Sequence, residues 1–386
     1  MRIAFATPEY VTEDYYDGGL ANYVHRVAKA LAGMGHDIHV LTLSDTDDAE
    51  FAHDGVTVHR IKRRRWWSQL DFSIRVYRAL KRIDSQQTLH LVQFPNYSGC
   101  GVVSMCRLRI PYVLRASSYQ PALNDAAGVT RTLKVRMVEG METLQFRLSR
   151  HVYAPSHTLQ RTLTEEARLP HVRVIRTPCY LETLDWDTSV HDRFLKGRPY
   201  LLFFGRFQLH KGFHTLAQAL PRVLARYPDA CAALVGRDMA SRLAPSMADY
   251  ARAQCGGVAD RIVVLDKLPH RQLYPVIAGA RLVVLPSLIE NQPNAGLEAM
   301  ALGRAVIGTA GTGFEELMTD EETGFLVTPD NPEALADTII SAWIHPKREE
   351  IGAAARRKSL EFSPETTVEA LLAYFREVLG FSAGCR

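Results

Sequence analysis

Tyr200-Leu201-Leu202-Phe203-Phe204-Gly205-Arg206-Phe207-Gln208-Leu209-His210-Lys211-Gly212 is the stretch whose reading decides the fold. Apolar residues without alternation predict a strand buried on both faces. The glycine and the two permanent cations after it predict a charged turn at the strand's carboxyl end. Further along, Leu282-Val283-Val284-Leu285 predicts a second strand of the same kind. It leads into Glu290-Asn291-Gln292-Pro293-Asn294-Ala295-Gly296-Leu297-Glu298, two carboxylates around a turn that opens a helix. Pro293 lacks an N–H and suits the turn or the first helical position.

Working outward, short apolar runs alternate with helical patterns along the whole chain. Runs at 3–6, 38–43, 56–61, 89–94, 112–114 and 152–154 form one series. Those at 201–204, 232–235, 262–265, 282–285, 305–307 and 325–327 form another. Between the first two runs, Val24, Val27, Ala28 and Leu31 share one helical face; Leu216, Leu220, Val223 and Leu224 do the same after the run at 201–204. Two such series predict two doubly wound α/β domains with parallel sheets covered on both faces. We expect them at 1–180 and 199–362, joined through a polar segment between Pro178 and Pro199. A last amphipathic helix at about 363–380 carries Val368, Leu371, Leu372, Phe375 and Leu379 on one side.

The composition agrees. A chain of 386 residues suits two domains, and 47% hydrophobic with 23% charged residues is that of a globular protein. The formal net charge of +4 does not demand a nucleic-acid partner, and no recognition-helix motif is present. Six cysteines without a C-x-x-C pair argue for reduced thiols in a cytosol and against a zinc site or disulfide framework. No signal peptide or membrane span is expected.

In open α/β sheets, ligands bind beyond the carboxyl ends of the strands. Both opening segments sit there, as does Asp17-Gly18-Gly19-Leu20-Ala21 after the first strand, where glycine lets backbone N–H groups approach an anion. Cations and a helix N-terminus suit a diphosphate, and carboxylates beside them suit sugar hydroxyls. Together they describe a pocket for a nucleotide-sugar. No G-x-G-x-x-G follows the first strand, which excludes a dinucleotide-dependent dehydrogenase.

These motifs resemble those of the retaining GT-B glycosyltransferases of family 4. The likeness rests on the glycine loop, the G-R-x-x-x-x-K-G segment and the E-x7-E segment. It extends to Gly311-Thr312-Gly313-Phe314-Glu315-Glu316-Leu317 followed by Thr323-Gly324-Phe325-Leu326-Val327. The resemblance implies two Rossmann-like domains facing across a cleft that closes on the ligand, with the last helix crossing back onto the N-terminal domain. It implies that Arg206 and Lys211 grip the donor diphosphate, Glu298 the ribose, and Glu290 the transferred sugar. It places Gly18 and Gly19, the backbone of Asn294, Ala295 and Gly296, and the base near Leu268 in the same site. The implied reaction moves a hexose from a UDP-sugar, or a GDP-sugar, to a glycan, lipid-linked or small-molecule acceptor, without a metal or other cofactor. An epimerase acting on the same donor, or a silent binding subunit, are the competing readings; the intact charged set speaks against the latter.

The chain departs from the family pattern in three places. Pro111-Tyr112-Val113-Leu114-Arg115-Ala116-Ser117-Ser118 has serine where many members have histidine, so Arg115, Ser117 and Ser118 become the acceptor-side candidates, with a plain loop as the alternative. Thr177-Pro178-Cys179-Tyr180 replaces the usual Pro-Asn-Gly, and no glutamate directly follows the glycine loop. Two acidic triplets, Asp45-Thr46-Asp47 and Asp185-Trp186-Asp187, lie in loops and are not expected to hold a metal. The run Arg60-Ile61-Lys62-Arg63-Arg64-Arg65-Trp66-Trp67 fits peripheral contact with the inner face of a membrane, an anionic acceptor, or a solvated charge run before two docked aromatics. Arg131, Lys134, Arg136, Arg147 and Arg150, with Glu139 and Glu142 among them, read as a solvated helix face with some ion pairs.

Overall fold

The computed structural model describes residues 1–11, 19–62, 68–126, 128–179, 181 and 184–381. The chain divides into two units: Met1–Pro178 with Phe362–Arg386, and Cys179–Glu361. Gly18, most of the run at 60–67 and Tyr180 lie outside the described residues.

Unit 1 is built on β1 (Arg2–Thr7), β2 (Asp37–Ser44), β3 (Ala49–His53), β4 (Val56–Lys62), β5 (Leu91–Pro95), β6 (Tyr112–Arg115), β7 (Val152–Ala154) and β8 (Val172–Val174). Its helices are α1 (Gly19–Gly33), α2 (Ser68–Gln86), α3 (Val102–Arg107), α4 (Gln120–Ala126), α5 (Leu133–Leu148) and α6 (His157–Glu165). The strand order is β3-β4-β2-β1-β5-β6-β7-β8. Successive residues of β1 serve opposite faces. Ile3 and Phe5 pack with α1 residues Val24, Val27 and Leu31, whereas Ala4 and Ala6 join Val76 and Leu80 of α2 and Phe146 of α5.

The expectation of parallel sheets needs one correction. β3 runs antiparallel to β4, from Ala49↔Arg60 to His53↔Val56. Asp54 (φ +52°) and Gly55 (φ +77°) form the two-residue turn between them, the backbone that Asp-Gly favours in a hairpin. β3 is an edge strand with alternate residues exposed, so it lacks the apolar run that marks the other strands.

Unit 2 contains α7 (Ser189–Phe194), β9 (Tyr200–Phe204), α8 (Phe213–Arg226), β10 (Cys231–Val235), α9 (Met247–Cys255), β11 (Ile262–Leu265), α10 (His270–Gly279) and β12 (Leu282–Leu285). It continues through α11 (Asn294–Ala301), β13 (Val306–Thr309), β14 (Phe325–Val327), α12 (Pro332–Ile344) and α13 (Arg348–Ser359). The order β11-β10-β9-β12-β13-β14 is parallel throughout. The chain winds outward from β9 to β11, then returns to place β12 on the other side of β9. That reversal is a topological switch point, and the loops leaving two adjacent strands there diverge to open a crevice. The polar segment before β9 is not a bare connection, because α7 lies within it and packs on α10.

The final helix, α14 (Pro364–Val378), belongs to unit 1. Val368, Leu371, Leu372, Tyr374 and Phe375 are buried in the cluster that includes α1. No described helix is long and apolar enough to cross a membrane.

Candidate functional site

The G-R-x-x-x-x-K-G and E-x7-E segments leave β9 and β12, the two strands that flank the switch point of unit 2. Beyond β9, Phe207 is fully buried and stacks on Phe213, with ring centroids 4.4 Å apart. That anchor leaves Arg206 exposed at the turn. Leu209–Lys211 then form a single 3-10 turn, closed by Gly212 in the left-handed region at φ +65°. A β-carbon on Gly212 would stand 1.7 Å from the carbonyl oxygen of Pro286, just past β12. Glycine is therefore required twice, by conformation and by contact. The same approach lets Leu288 donate its N–H to the His210 carbonyl at 2.9 Å. Backbone thus ties the two segments together before any side chain is counted.

A third segment completes the stitching. Gly313 donates its N–H to the Glu290 carbonyl at 2.7 Å, and a β-carbon there would fall 2.1 Å from the Asn291 carbonyl oxygen. Phe314 is buried directly beneath Gly296 in the first turn of α11. The first bond of that helix runs from Leu297 N–H to the Pro293 carbonyl at 3.0 Å. The N–H groups of Asn294, Ala295 and Gly296 precede it and give the helix end its positive character. Among the described residues, Asn294 Oδ1 is buried without a hydrogen-bond partner.

On this scaffold Lys211 Nζ donates to Glu290 Oε2 at 2.6 Å, with side chains 34% and 16% exposed. His210 shares the neighbourhood: burial and the charges of Lys211 and Arg206, against that of Glu290, push its imidazole down to about 4. It is therefore neutral at ordinary pH. Glu298, one face of α11 inward, is buried, with Oε1 4.0 Å from Nε2 of His270. His270 stacks on Tyr274 at 5.2 Å, and half-buried Leu268 precedes it in the loop from β11.

The structure accordingly gathers Lys211 and Glu290 at one point, with Arg206, and sets Asn294, Ala295, Gly296 and Glu298 on α11 beside them. Leu268 joins Glu298 by way of His270. Gly19 opens α1 in unit 1. Sequence reading gave no role to His210 or His270, and it quoted Gly313 only as part of a motif. The two histidines carry no signal of spacing and acquire meaning only from what packs around them.

Arg115, an acceptor-side candidate with Ser117 and Ser118, ends β6. Its side chain is buried, donates to Ser117 Oγ and to Thr177 Oγ1 (2.9 Å), and lies 3.6 Å over the ring of Tyr23. Its guanidinium is engaged in holding β6 inside unit 1, as expected of a cation that can be buried only with its donors satisfied. Ser117 and Ser118 are half-buried and held by Asn96, which accepts from Ser117 N–H at 2.9 Å and donates to the Ser118 carbonyl at 2.8 Å. Arg60 lies over the Phe51 ring and 3.9 Å from Asp47. Among the described residues, only His25, His53 and Asp54 group as a possible metal-ligand set; neither acidic triplet does. Asp54 in that set already accepts from both His25 and Lys29 at 2.9 Å.

Comparison with known proteins agrees with this architecture. Residues 17–182 match the family model described as Glycosyltransferase Family 4, and residues 198–344 match the one described as Glycosyl transferases group 1. An uncharacterised glycosyltransferase of Methanocaldococcus jannaschii is 26% identical over 366 residues, covering 89% of this chain and 90% of its own length. Sucrose-phosphate synthase from Thermosynechococcus elongatus superposes with a TM-score of 0.80 at 20% identity, covering 99% of this chain and 100% of its own. HepE of Anabaena, solved with UDP and glucose, gives 0.72 at 19% identity over 98% of this chain and 100% of its own. The chain belongs to the group 1 glycosyl transferases of family 4, and it is a glycosyltransferase of the GT-B type.

Proposed function

We propose that unit 2 binds a nucleoside-diphosphate sugar and that the enzyme transfers its hexose, with retention, to a hydroxyl of a glycan acceptor. The carrying observation is the Lys211–Glu290 pair at the switch point. It supports this reading because it brings together a cation suited to a diphosphate and a carboxylate suited to sugar hydroxyls. Lys211 and Arg206 bind the diphosphate together with the N–H groups of Asn294, Ala295 and Gly296, and the buried Asn294 Oδ1 finds a donor in the ligand. Glu298 accepts from the ribose hydroxyls, and the base lies along Leu268 and His270. Gly18 and Gly19 remain proposed donor-binding residues on the strength of the family resemblance alone.

In the reaction the acceptor oxygen bonds to the anomeric carbon on the face from which the diphosphate departs. The bond from that carbon to the phosphate oxygen breaks, and the acceptor proton passes to a phosphate oxygen. Negative charge builds on the leaving diphosphate, and preorganised cations stabilise such charge strongly. Lys211 exchanges its Glu290 partner for phosphate, so the freed carboxylate turns to the sugar hydroxyls and the positive charge developing at the anomeric carbon. Two cations and a helix end supply the charge that a metal ion provides in other transferases. UDP is the favoured nucleotide, with GDP next; HepE, of the same fold, was solved with UDP and glucose. Ser117 and Ser118 are the proposed acceptor-side groups, and a lipid-linked or envelope glycan is favoured over a small natural product.

Calorimetric titration with UDP, GDP and ADP, each with and without EDTA, tests the donor site. Binding of UDP unchanged by EDTA is the expected result. Binding of no nucleotide, or only with a divalent ion, overturns the metal-free donor site.

A further inference from the structure

α5 has an outer face that its own fold leaves uncovered. Leu133, Met137 and Leu144 are 77%, 54% and 46% exposed. At 100° per residue they lie within about 40° of one another, so they form a single stripe along the helix. Arg136 and Arg147 line one edge of the stripe and Lys134 the other, all exposed. Among the described residues, none of these three cations enters an ion pair. Both carboxylates of α5 are directed elsewhere. Glu142 is buried and accepts from Asn96, while Glu139 accepts from Asn124 at 2.8 Å and pairs with Arg131. The exposed charge of the helix is therefore positive only.

The helix is also held independently of anything on its outer face. Phe146 is buried in the core, and Gln145 Nε2 donates to the Pro95 carbonyl at 2.6 Å. Thr132 caps the first turn by accepting from Val135 N–H. The neighbouring 3-10 turn Tyr97–Gly99, against which Met141 packs, adds Tyr97 at 52% exposure. An apolar stripe between rows of long basic side chains, on a preformed helix, is the pattern of an interfacial helix: the stripe enters the acyl boundary while arginine and lysine reach the headgroups.

We propose that the outer face of α5 docks unit 1 onto an anionic phospholipid surface. Charge selects this occupant over a second copy of the chain, because an isologous pairing would set the Arg136 and Arg147 rows against like charge with no carboxylate between them. The surface differs from the run at 60–67, for which membrane contact was one of three readings, and it does not depend on the donor-site reading.

The test is co-sedimentation of the full-length protein with vesicles of phosphatidylcholine alone or mixed with phosphatidylglycerol. Binding to the mixed vesicles only, weakening as salt rises, is expected. The Leu133→Glu, Met137→Glu, Leu144→Glu triple variant should lose binding by a factor on the order of ten or more. Arg136→Gln and Arg147→Gln should each weaken it about fivefold. The substituted side chains are exposed, and an unchanged melting temperature verifies folding. Should the triple variant misfold, the arginine variants and the salt series decide. Equal binding to neutral vesicles, or undiminished binding of a folded triple variant, overturns the proposal. So does loss of binding in Trp66→Ala/Trp67→Ala with the triple variant unaffected. Concentration-dependent self-association that the triple variant abolishes, without lipid binding, assigns the stripe to a second copy instead.

Discussion

The two units carry loops at equivalent places, the carboxyl ends of strands beside a topological switch point, yet they hold them by different means. In unit 2 the loops after β9, β12 and β13 are joined backbone to backbone, through His210 to Leu288, Gly212 against Pro286, and Gly313 to Glu290. In unit 1 the corresponding loops after β5 and β6 share one backbone bond at their base, Asn96 N–H to the Arg115 carbonyl at 3.0 Å, and beyond it are joined by side chains: Asn96 to Ser117, Ser118 and Glu142, and Arg115 to Ser117 and Thr177. Backbone contact at glycine admits no larger residue, so the geometry of the loops at this switch point is set with little slack. A side-chain network can be rebuilt from other polar residues, so these loops are freer to vary in sequence.

The comparison can be broken most directly at Gly212. Gly212→Ala places a β-carbon in left-handed backbone against a carbonyl, and unit 2 should lose about 3 kcal/mol or more of stability, together with nucleotide binding. Asn96→Ala, its counterpart in unit 1, should cost about 1–3 kcal/mol and leave UDP affinity unchanged. Thermal melting and UDP titration of both variants check this. Equal effects on nucleotide binding would show that the distinction between the two linkages is wrong.

Lys211→Ala sharpens the comparison, because it separates the charge of the site from its scaffold. Transfer should fall by about 10²–10³-fold, while stability changes by no more than about 1 kcal/mol, since the pair with Glu290 is partly solvated. Steady-state kinetics beside a melting curve would reveal either outcome. Retained turnover would remove Lys211 from the reaction.

The smallest effect concerns Glu142. Burial, opposed in part by its bond to Asn96, pushes this carboxyl up to about 8, so it is protonated in the folded protein at neutral pH. The unfolded chain releases that proton near the usual carboxylate value. Between the two values the folded state holds more protons, and stability declines as pH rises through that window. His25, His36, His39, His59 and His210 are shifted downward, chiefly by burial, and act in the opposite sense below their ordinary value. Melting temperature measured from pH 6.5 to 8 therefore separates Glu142 from these histidines and stays below the range where the buried thiols Cys100, Cys231 and Cys255, raised by burial, add to the slope. Wild type should lose stability across that range and Glu142→Gln should lose less; parallel curves would show that Glu142 does not set the slope.

Much of this was legible in the residues. Fully apolar runs identify strands covered on both faces, and the glycine and carboxylate motifs after two of them identify the loops that carry chemistry. The hairpin at β3 was legible only through Asp54-Gly55, because its strand is short, polar and at an edge. Sequence shows the charge of Arg115 but not that its guanidinium is buried over Tyr23 and bonded to Ser117 and Thr177. The outward stripe of α5 was hidden for a related reason: periodicity shows that Leu133, Met137 and Leu144 share a face, and only burial shows which face the core has left uncovered.

By itself, then, the chain's order of residues determined the α/β class, the family and the residue types of the proposed donor site, since these follow from local periodicity and from motifs read along the chain. Tertiary structure decided that β9 and β12 are neighbours, that Lys211 meets Glu290, that His210 is neutral, and that α5 turns an apolar, basic face outward. Each of these depends on which segments, distant in the chain, are brought within a few ångströms of one another, and on which groups lose their water when that happens.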